Sequence, residues 1–216
     1  MAIITISRMF GSGGSEIAER VARELGWELL DNEVVDAVAR RLGADRADVA
    51  AREERVPSLI ERLARSMALS SQDWVAPVTD APLPPSEDRL VEMTKRVVAE
   101  AIARGPAVVV GRGAQSMLAA REDALHVFCY APRPALIART MEREDIVEQQ
   151  AAKRVDDTNR QREEYVRRHW NRAWRAHENY HLALDTAWFG VDGAAALVVQ
   201  IARERLPAAQ RPTRPG

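Results

Sequence analysis

Residues 3–31 read as strand, glycine-rich turn, helix, strand, and that order admits few arrangements. Ile3-Ile4-Thr5-Ile6 is a β-branched apolar run of the kind found in buried strands. Gly11-Ser12-Gly13-Gly14 follows it. From Ser15 to Leu25 the apolar side chains Ile17, Ala18, Val21, Ala22 and Leu25 recur at helical spacing, and Gly26 supplies a stop. Trp27–Leu30 reads as a second strand ending in Asp31. For a strand–helix–strand unit of this length, parallel strands and a right-handed crossover are expected. The chain is thereby committed to an α/β fold.

The remaining sequence extends the pattern. Ala107–Val110 is an apolar strand followed by Gly111-Arg112-Gly113, and His126–Tyr130 and His181–Asp185 read as two more strands. Residues 133–142, much of 146–176 and Ala194–Arg203 carry helical periodicity. The alternation predicts a doubly wound parallel sheet with helices on both faces. Too much chain lies between the second and third strands for a single crossover. Within it Val34, Val35, Val38, Ala39 and Leu42 form one apolar face, and Val56, Leu59, Ile60, Leu63, Ala64 and Met67 form another. A proline-bearing loop over 70–88 precedes a helix over Leu90–Ala103. This stretch reads as an inserted helical subdomain, and the proline-rich tail 207–216 reads as disordered.

Composition narrows the function classes. The 216 residues are 46% apolar and 29% charged with a net charge of −1, as in an ordinary single-domain soluble protein. Such a balance argues against a general nucleic-acid or membrane coat. No apolar run approaches the roughly 18 residues that cross a bilayer, and the start lacks the pattern of a signal peptide, so a cytoplasmic location is expected. The single cysteine, Cys129, permits no internal disulfide and no multi-cysteine metal site. His126, His169, His177 and His181 show no metal-ligand spacing with carboxylates. Lys95 and Lys153 are the only lysines beside 29 arginines. A phosphate held near the N-terminus must therefore rest on main-chain N–H groups or on arginine.

In a parallel sheet, ligands bind beyond the carboxyl ends of the strands. Arg8–Ser15, Asp31 and Gly111-Arg112-Gly113 all sit at such ends. The first has the logic of a phosphate cradle. Glycines let the backbone turn tightly, and the helix start adds the positive end of its dipole. Against the P-loop pattern G-x-x-x-x-G-K-[ST], Arg8 falls at the first glycine, Gly13 at the second, Gly14 at the lysine and Ser15 at the hydroxyl. The phosphate-binding candidates are Gly11, Ser12, Gly13, Gly14 and Ser15, with the Ser15 hydroxyl as a candidate Mg²⁺ ligand and Arg8 as the nearest cation. Asp31 has three readings: an acceptor contact, a water-mediated Mg²⁺ contact, or an N-cap for the helix that follows.

Ile4-Thr5-Ile6-Ser7-Arg8 with Phe10-Gly11-Ser12-Gly13-Gly14 and Ile17-Ala18 resembles the opening of the cytidylate-kinase-like proteins, relatives of the nucleoside monophosphate kinases. Val108-Val109-Val110-Gly111-Arg112-Gly113-Ala114 is similar to their second signature. His126-Val127-Phe128, Tyr130-Ala131-Pro132, Arg139, Arg143, Asp157-x-x-Arg160 and Glu178-Asn179-Tyr180 extend the resemblance to about residue 200. It implies a three-layer α/β/α P-loop kinase fold. The core would be 1–32, 105–142 and 177–206, the helical insert gripping the monophosphate 33–104, and an arginine-rich lid 143–176. It implies transfer of the terminal phosphoryl group of ATP, with Mg²⁺, to CMP or dCMP. Arg8, Arg112, Arg139, Arg143 and Arg160 become candidate catalytic arginines. Asp31, Arg112, Arg154 and Asp157 become candidate acceptor contacts. Guanidinium forks suit the task, because phosphoryl transfer is mostly positioning and charge stabilisation.

Three rival readings remain. A nucleotide-binding protein without turnover would account for the absent P-loop lysine. A dinucleotide-binding oxidoreductase shares the opening unit and an acidic residue at Asp31, but Glu16 stands where the fingerprint needs a third glycine. Six arginines over 160–175, interleaved with Tyr165, Trp170 and Trp174, admit a nucleic-acid surface. An amphipathic helix is the simpler account of them, and the partners expected are small-molecule nucleotides.

Overall fold

A computed structural model describes residues 2–31 and 87–206. The expected apolar faces at 34–42 and 56–67, nearly all of the 70–88 loop, and the tail 207–216 lie outside the described residues. The chain divides into two compact units, Met1–Asp31 with Val98–Gly216, and Asn32–Val97. Of the second unit the described part is the first portion of a helix, α2.

The elements in order are β1 (Ile3–Arg8), α1 (Gly14–Leu25), β2 (Glu28–Leu30), α2 (Glu87–Arg104), β3 (Ala107–Val110), α3 (Ala114–Met117), β4 (Ala124–Tyr130), α4 (Arg133–Glu144), α5 (Glu148–Trp170), β5 (Leu182–Asp185) and α6 (Thr186–Arg205). The five strands form one sheet in the order β2-β3-β1-β4-β5, parallel throughout. That is not the 3-2-1-4-5 order of the dinucleotide-binding fold. The oxidoreductase reading fails on topology as well as on Glu16.

β1 lies at the centre because both of its neighbours need its apolar side chains. Ile3 pairs with Ala107 of β3 and with Ala124 of β4, and Arg8 at its end lies beside Cys129. On one face Ile4, Ile6, Val108 and Val127 pack under Ile17 and Val21 of α1 and Ala194 and Val198 of α6. Arg20 of α1 pairs with Asp192 of α6 at the edge of that layer. On the other face Phe128 meets Val166 of α5 and Trp174 beyond it. Burying each such aliphatic side chain contributes about 1.5–3 kcal/mol, so this two-sided core holds the strand ends in place.

The register also puts one polar pair inside. Thr5 stands opposite His126, and the Thr5 hydroxyl lies 2.7 Å from His126 Nδ1. The His126 main-chain N–H donates to His181 Nδ1 at 3.0 Å, and the two rings stack at 5.1 Å. Burial, with help from His181 and Arg172, pushes the His126 pKa down to about 4. Cys129 is buried, and burial pushes its thiol up to about 12, as suits a small core residue.

Two boundaries differ from expectation. α6 begins at Thr186, eight residues before its clear apolar period. Asp185 caps it, accepting from the N–H groups of Ala187 (2.9 Å) and Trp188 (3.3 Å), and Gly190 then kinks it with φ 68° and ψ 174°. The kink interrupts the periodicity that would have revealed the first turns. The short helix α3 directly after Gly113 has no signature of its own.

Candidate active site

The loop after β1 is closed by its own polar groups. The Ser12 N–H donates to the Met9 carbonyl at 3.2 Å, and the buried Ser12 hydroxyl donates to the same oxygen at 2.8 Å. That hydroxyl serves the turn. Gly13, at φ 75°, precedes α1, and no side chain caps the helix start. The N–H groups of Gly14, Ser15 and Glu16 thus have no intrahelical acceptor and lie at the positive end of the helix dipole. Two elements clamp this cradle. The Phe10 N–H donates to Oδ1 of buried Asn159 on α5 at 2.8 Å. Arg139 of α4 donates through Nη1 to the Ser12 carbonyl (3.1 Å) and the Thr186 hydroxyl (2.9 Å), and through Nη2 to the Thr186 carbonyl (2.6 Å). Its fork is occupied in tying the loop to the start of α6.

Arg8 explains the missing lysine. Its Cβ and Cγ run so close over Gly14 that a Cβ there would collide with them, so the position aligned with the P-loop lysine has no room for any side chain. The Arg8 guanidinium then reaches the second glycine turn. A Cβ on Gly111, which has φ 66°, would overlap Nη1. Arg8 Nη2 also reaches Asp31 Oδ1 at 3.4 Å. The stem of this arginine thus lies on one motif and its head on the other. Burial pulls its pKa down, against the pull of Asp31, and Nε is buried without a hydrogen-bond partner among the described residues.

The Gly111-Arg112-Gly113 turn has positive φ at all three residues, Arg112 included at 54°. Trp170 packs against Gly113 as Arg8 does against Gly111. Arg112, Arg8 and Arg162 line one cavity of about 40 Å³ with Tyr165, Trp174 and Tyr180. That is room for a few waters. Arg162 Nη1 donates to the Arg8 carbonyl at 2.6 Å. Burial pulls Arg112 down to about 10 and Arg162 to about 9, and in both cases the neighbouring Arg8 charge acts in the same direction. Arginine keeps its charge at neutral pH, and here burial and the Arg8 charge act against that charge while Asp31 acts for it.

The other lid candidates are placed differently. Arg143 lies over the Phe10 ring at 4.7 Å and Arg154 at 5.8 Å, and both pair with Glu144. Arg160 and Asp157 pair with each other at 2.5 Å on the exposed side of α5. Sequence reasoning passed over Arg162 and Asn159. Their signal is a phase: they lie on the same helix as Arg160 and Asp157 but face inward. It also passed over Trp188, 83% exposed at the start of α6, three residues from Val191, which abuts Gly13.

The cradle fits a polyphosphate, since main-chain donors converge there. For Mg²⁺ the half-buried Ser15 hydroxyl stands at the first turn of α1. No group of three His, Cys, Asp or Glu side chains is poised to hold a metal among the described residues. Such a site suits a Mg²⁺ carried largely by nucleotide phosphates and water.

A model of the cytidylate kinase-like family matches residues 3–187. Among solved structures, an uncharacterised protein from Eubacterium ventriosum superposes with a TM-score of 0.66 at 18% identity, over 95% of this chain and 100% of that one. A shikimate kinase from Acinetobacter baumannii, in complex with shikimate, does so with a TM-score of 0.51 at 17% identity, over 94% of each chain. A gluconokinase from Sinorhizobium meliloti gives 0.51 at 16%, again over 94% of each. The fold is that of the P-loop kinases. A comparison with curated protein sequences gives no match.

Proposed function

The chain belongs to the cytidylate kinase-like family, and from that premise we propose an ATP-dependent nucleoside monophosphate kinase with CMP or dCMP as acceptor. An oxygen of the acceptor phosphate attacks the terminal phosphorus of ATP, the bond to the ADP oxygen breaks, and ADP and CDP or dCDP leave. The observation that carries this reading is Arg8, which spans the two glycine turns, with its stem on Gly14 and its head on Gly111. One side chain thereby joins a donor cradle to an acceptor cavity.

Each part has a stated task in this proposal. The N–H groups of Gly14 and Ser15 hold the donor polyphosphate, and Ser15 contributes a hydroxyl to Mg²⁺, which would supply charge neutralisation when bound. Arg8 and Arg112 orient the acceptor phosphate and stabilise the charge that develops between the reactants. Arg139 holds the loop in shape, while Arg143 and Arg154, stacked about Phe10, belong to the closing lid. The exposed Trp188 offers a stacking face beside the cradle for the donor base. The substrates are small nucleotides of the cytoplasm. No helix among the described residues is long and apolar enough to cross a membrane.

An ADP-release assay with CMP, dCMP, UMP, AMP and GMP, with and without Mg²⁺, tests the reading. Mg²⁺-dependent release that is fastest with CMP or dCMP is the expected result. ATP binding with silence across the panel would instead select nucleotide binding without transfer, the reading that the absent lysine at Gly14 favours.

A further inference from the structure

We propose that Asn159 is the positioning residue of the donor loop: from α5 it fixes the Phe10 main chain and, through it, the glycine turn that leads into α1. The buried positions of α5 are Ala151, Val155, Asn159 and Val166. The first three recur every fourth residue and so lie on one face of the helix. Ala151 and Val155 pack with Leu136 and Ile137 of α4 and with the Phe10 ring. Asn159 continues that apolar stripe with an amide and is 3% exposed. A leucine there would bury as well and would favour the helix more. Burying an amide is costly unless a partner satisfies it. The partner is the Phe10 N–H, 149 residues away in the chain, which donates to Oδ1 at 2.8 Å.

The sheet leaves this contact to α5. β3 pairs with β1 as far as Ile6, opposite Val110, and then turns away through Gly111. On the other side the Met9 N–H still donates to the Cys129 carbonyl of β4 at 2.9 Å. The Arg8 carbonyl and the Phe10 N–H are met instead by Arg162 Nη1 at 2.6 Å and by Asn159 Oδ1. Residues 159 and 162 are neighbours on a helix surface, so one turn of α5 stands in for a strand where β1 runs out of partners. Phe10 is followed at once by Gly11 at φ 79°, and then by Gly13 at φ 75°. A peptide group fixed at Phe10 sets the direction in which this turn starts, and with it where the Gly14 and Ser15 N–H groups lie. The bond itself stands without the kinase reading; that those N–H groups hold the phosphates of ATP or ADP rests on it.

Hydrogen exchange of the full chain, ADP affinity by calorimetry, and KM for ATP and for the acceptor test the assignment. Asn159→Leu keeps the side-chain bulk and the helix but offers Phe10 no acceptor. It should speed exchange over residues 10–15 and weaken ADP binding, each by about tenfold or more, and raise KM for ATP while KM for the acceptor stays near its original value. Asn159→Asp keeps an acceptor oxygen at the same reach and should restore most of the exchange protection. Gln161→Ala, exposed on the same helix, should change neither exchange nor affinity. If Asn159→Leu does not fold, Asn159→Ala takes its place with the same expectations. A folded Asn159→Leu or Asn159→Ala protein with wild-type exchange over 10–15, or with wild-type ADP affinity, overturns the proposal, as does an Asn159→Asp protein as open as Asn159→Leu. A wild type that binds ADP but transfers no phosphoryl group removes the kinase reading alone, since exchange and ADP affinity still judge Asn159. A wild type that binds no ADP overturns both.

Discussion

At the scale of single residues, Arg8 and Gly14 are one structural fact. The lysine of the usual pattern cannot be accommodated where Arg8 lies, and Arg8 can lie there only because Gly14 and Gly111 have no side chains. If Arg8 supplies the charge the lysine would have carried, Arg8→Ala lowers turnover by roughly 10³-fold or more at saturating substrates, the scale seen for phosphoryl-clamp residues. Near-normal turnover would reduce Arg8 to a packing role. Gly111→Ala forces a side chain into a left-handed position, costing roughly 1–2 kcal/mol, and drives the Arg8 head from its place. Urea unfolding should show that loss. Gly105→Ala, with nothing within 4 Å of the added Cβ, should not lose stability.

At the scale of elements, the site depends on how α4, α5 and α6 reach the loop. Arg139 is the joint between α4, the cradle and α6, with three hydrogen bonds from one guanidinium. Arg139→Gln should cost about 2 kcal/mol or more, since hydrogen bonds from charged groups are the stronger kind. It should raise KM for ATP while leaving KM for the acceptor near its original value; equal rises in both would contradict the joint. The glycine turns, Arg8 and Arg112 were legible in the sequence because a strand end followed by glycine is a local signal. Arg162 was not. It lies two residues from Arg160, about 200° around a helix, and nothing in an arginine-rich run states the phase. The role of Ser12 was hidden for a similar reason. Its type suits a phosphate contact, yet local geometry turns its hydroxyl onto Met9.

At the scale of the whole molecule, the parallel sheet was legible because β1, β3 and β4 are short β-branched or apolar runs with helical periods between them. The early turns of α6 were not, since Gly190 breaks the period. The two-sided core also buries Thr5 and His126, with a consequence for stability against pH. His126 titrates at about 4 when folded, against an ordinary 6.5. Between those values the unfolded chain takes up a proton that the folded chain refuses, so stability is full above 6.5 and falls as pH drops towards 4. Urea midpoints measured across that window should decline, and His126→Gln should flatten the decline; an unchanged slope would assign it to other groups. The fold, the absent lysine and the arginine cluster meet at the cradle after β1, so a crystal structure grown with ADP is the decisive measurement. Its β-phosphate oxygens should accept from the N–H groups of Gly14 and Ser15, with the Arg8 head still at Gly111. A nucleotide bound elsewhere, with the cradle filled by the protein's own side chains, would contradict the account.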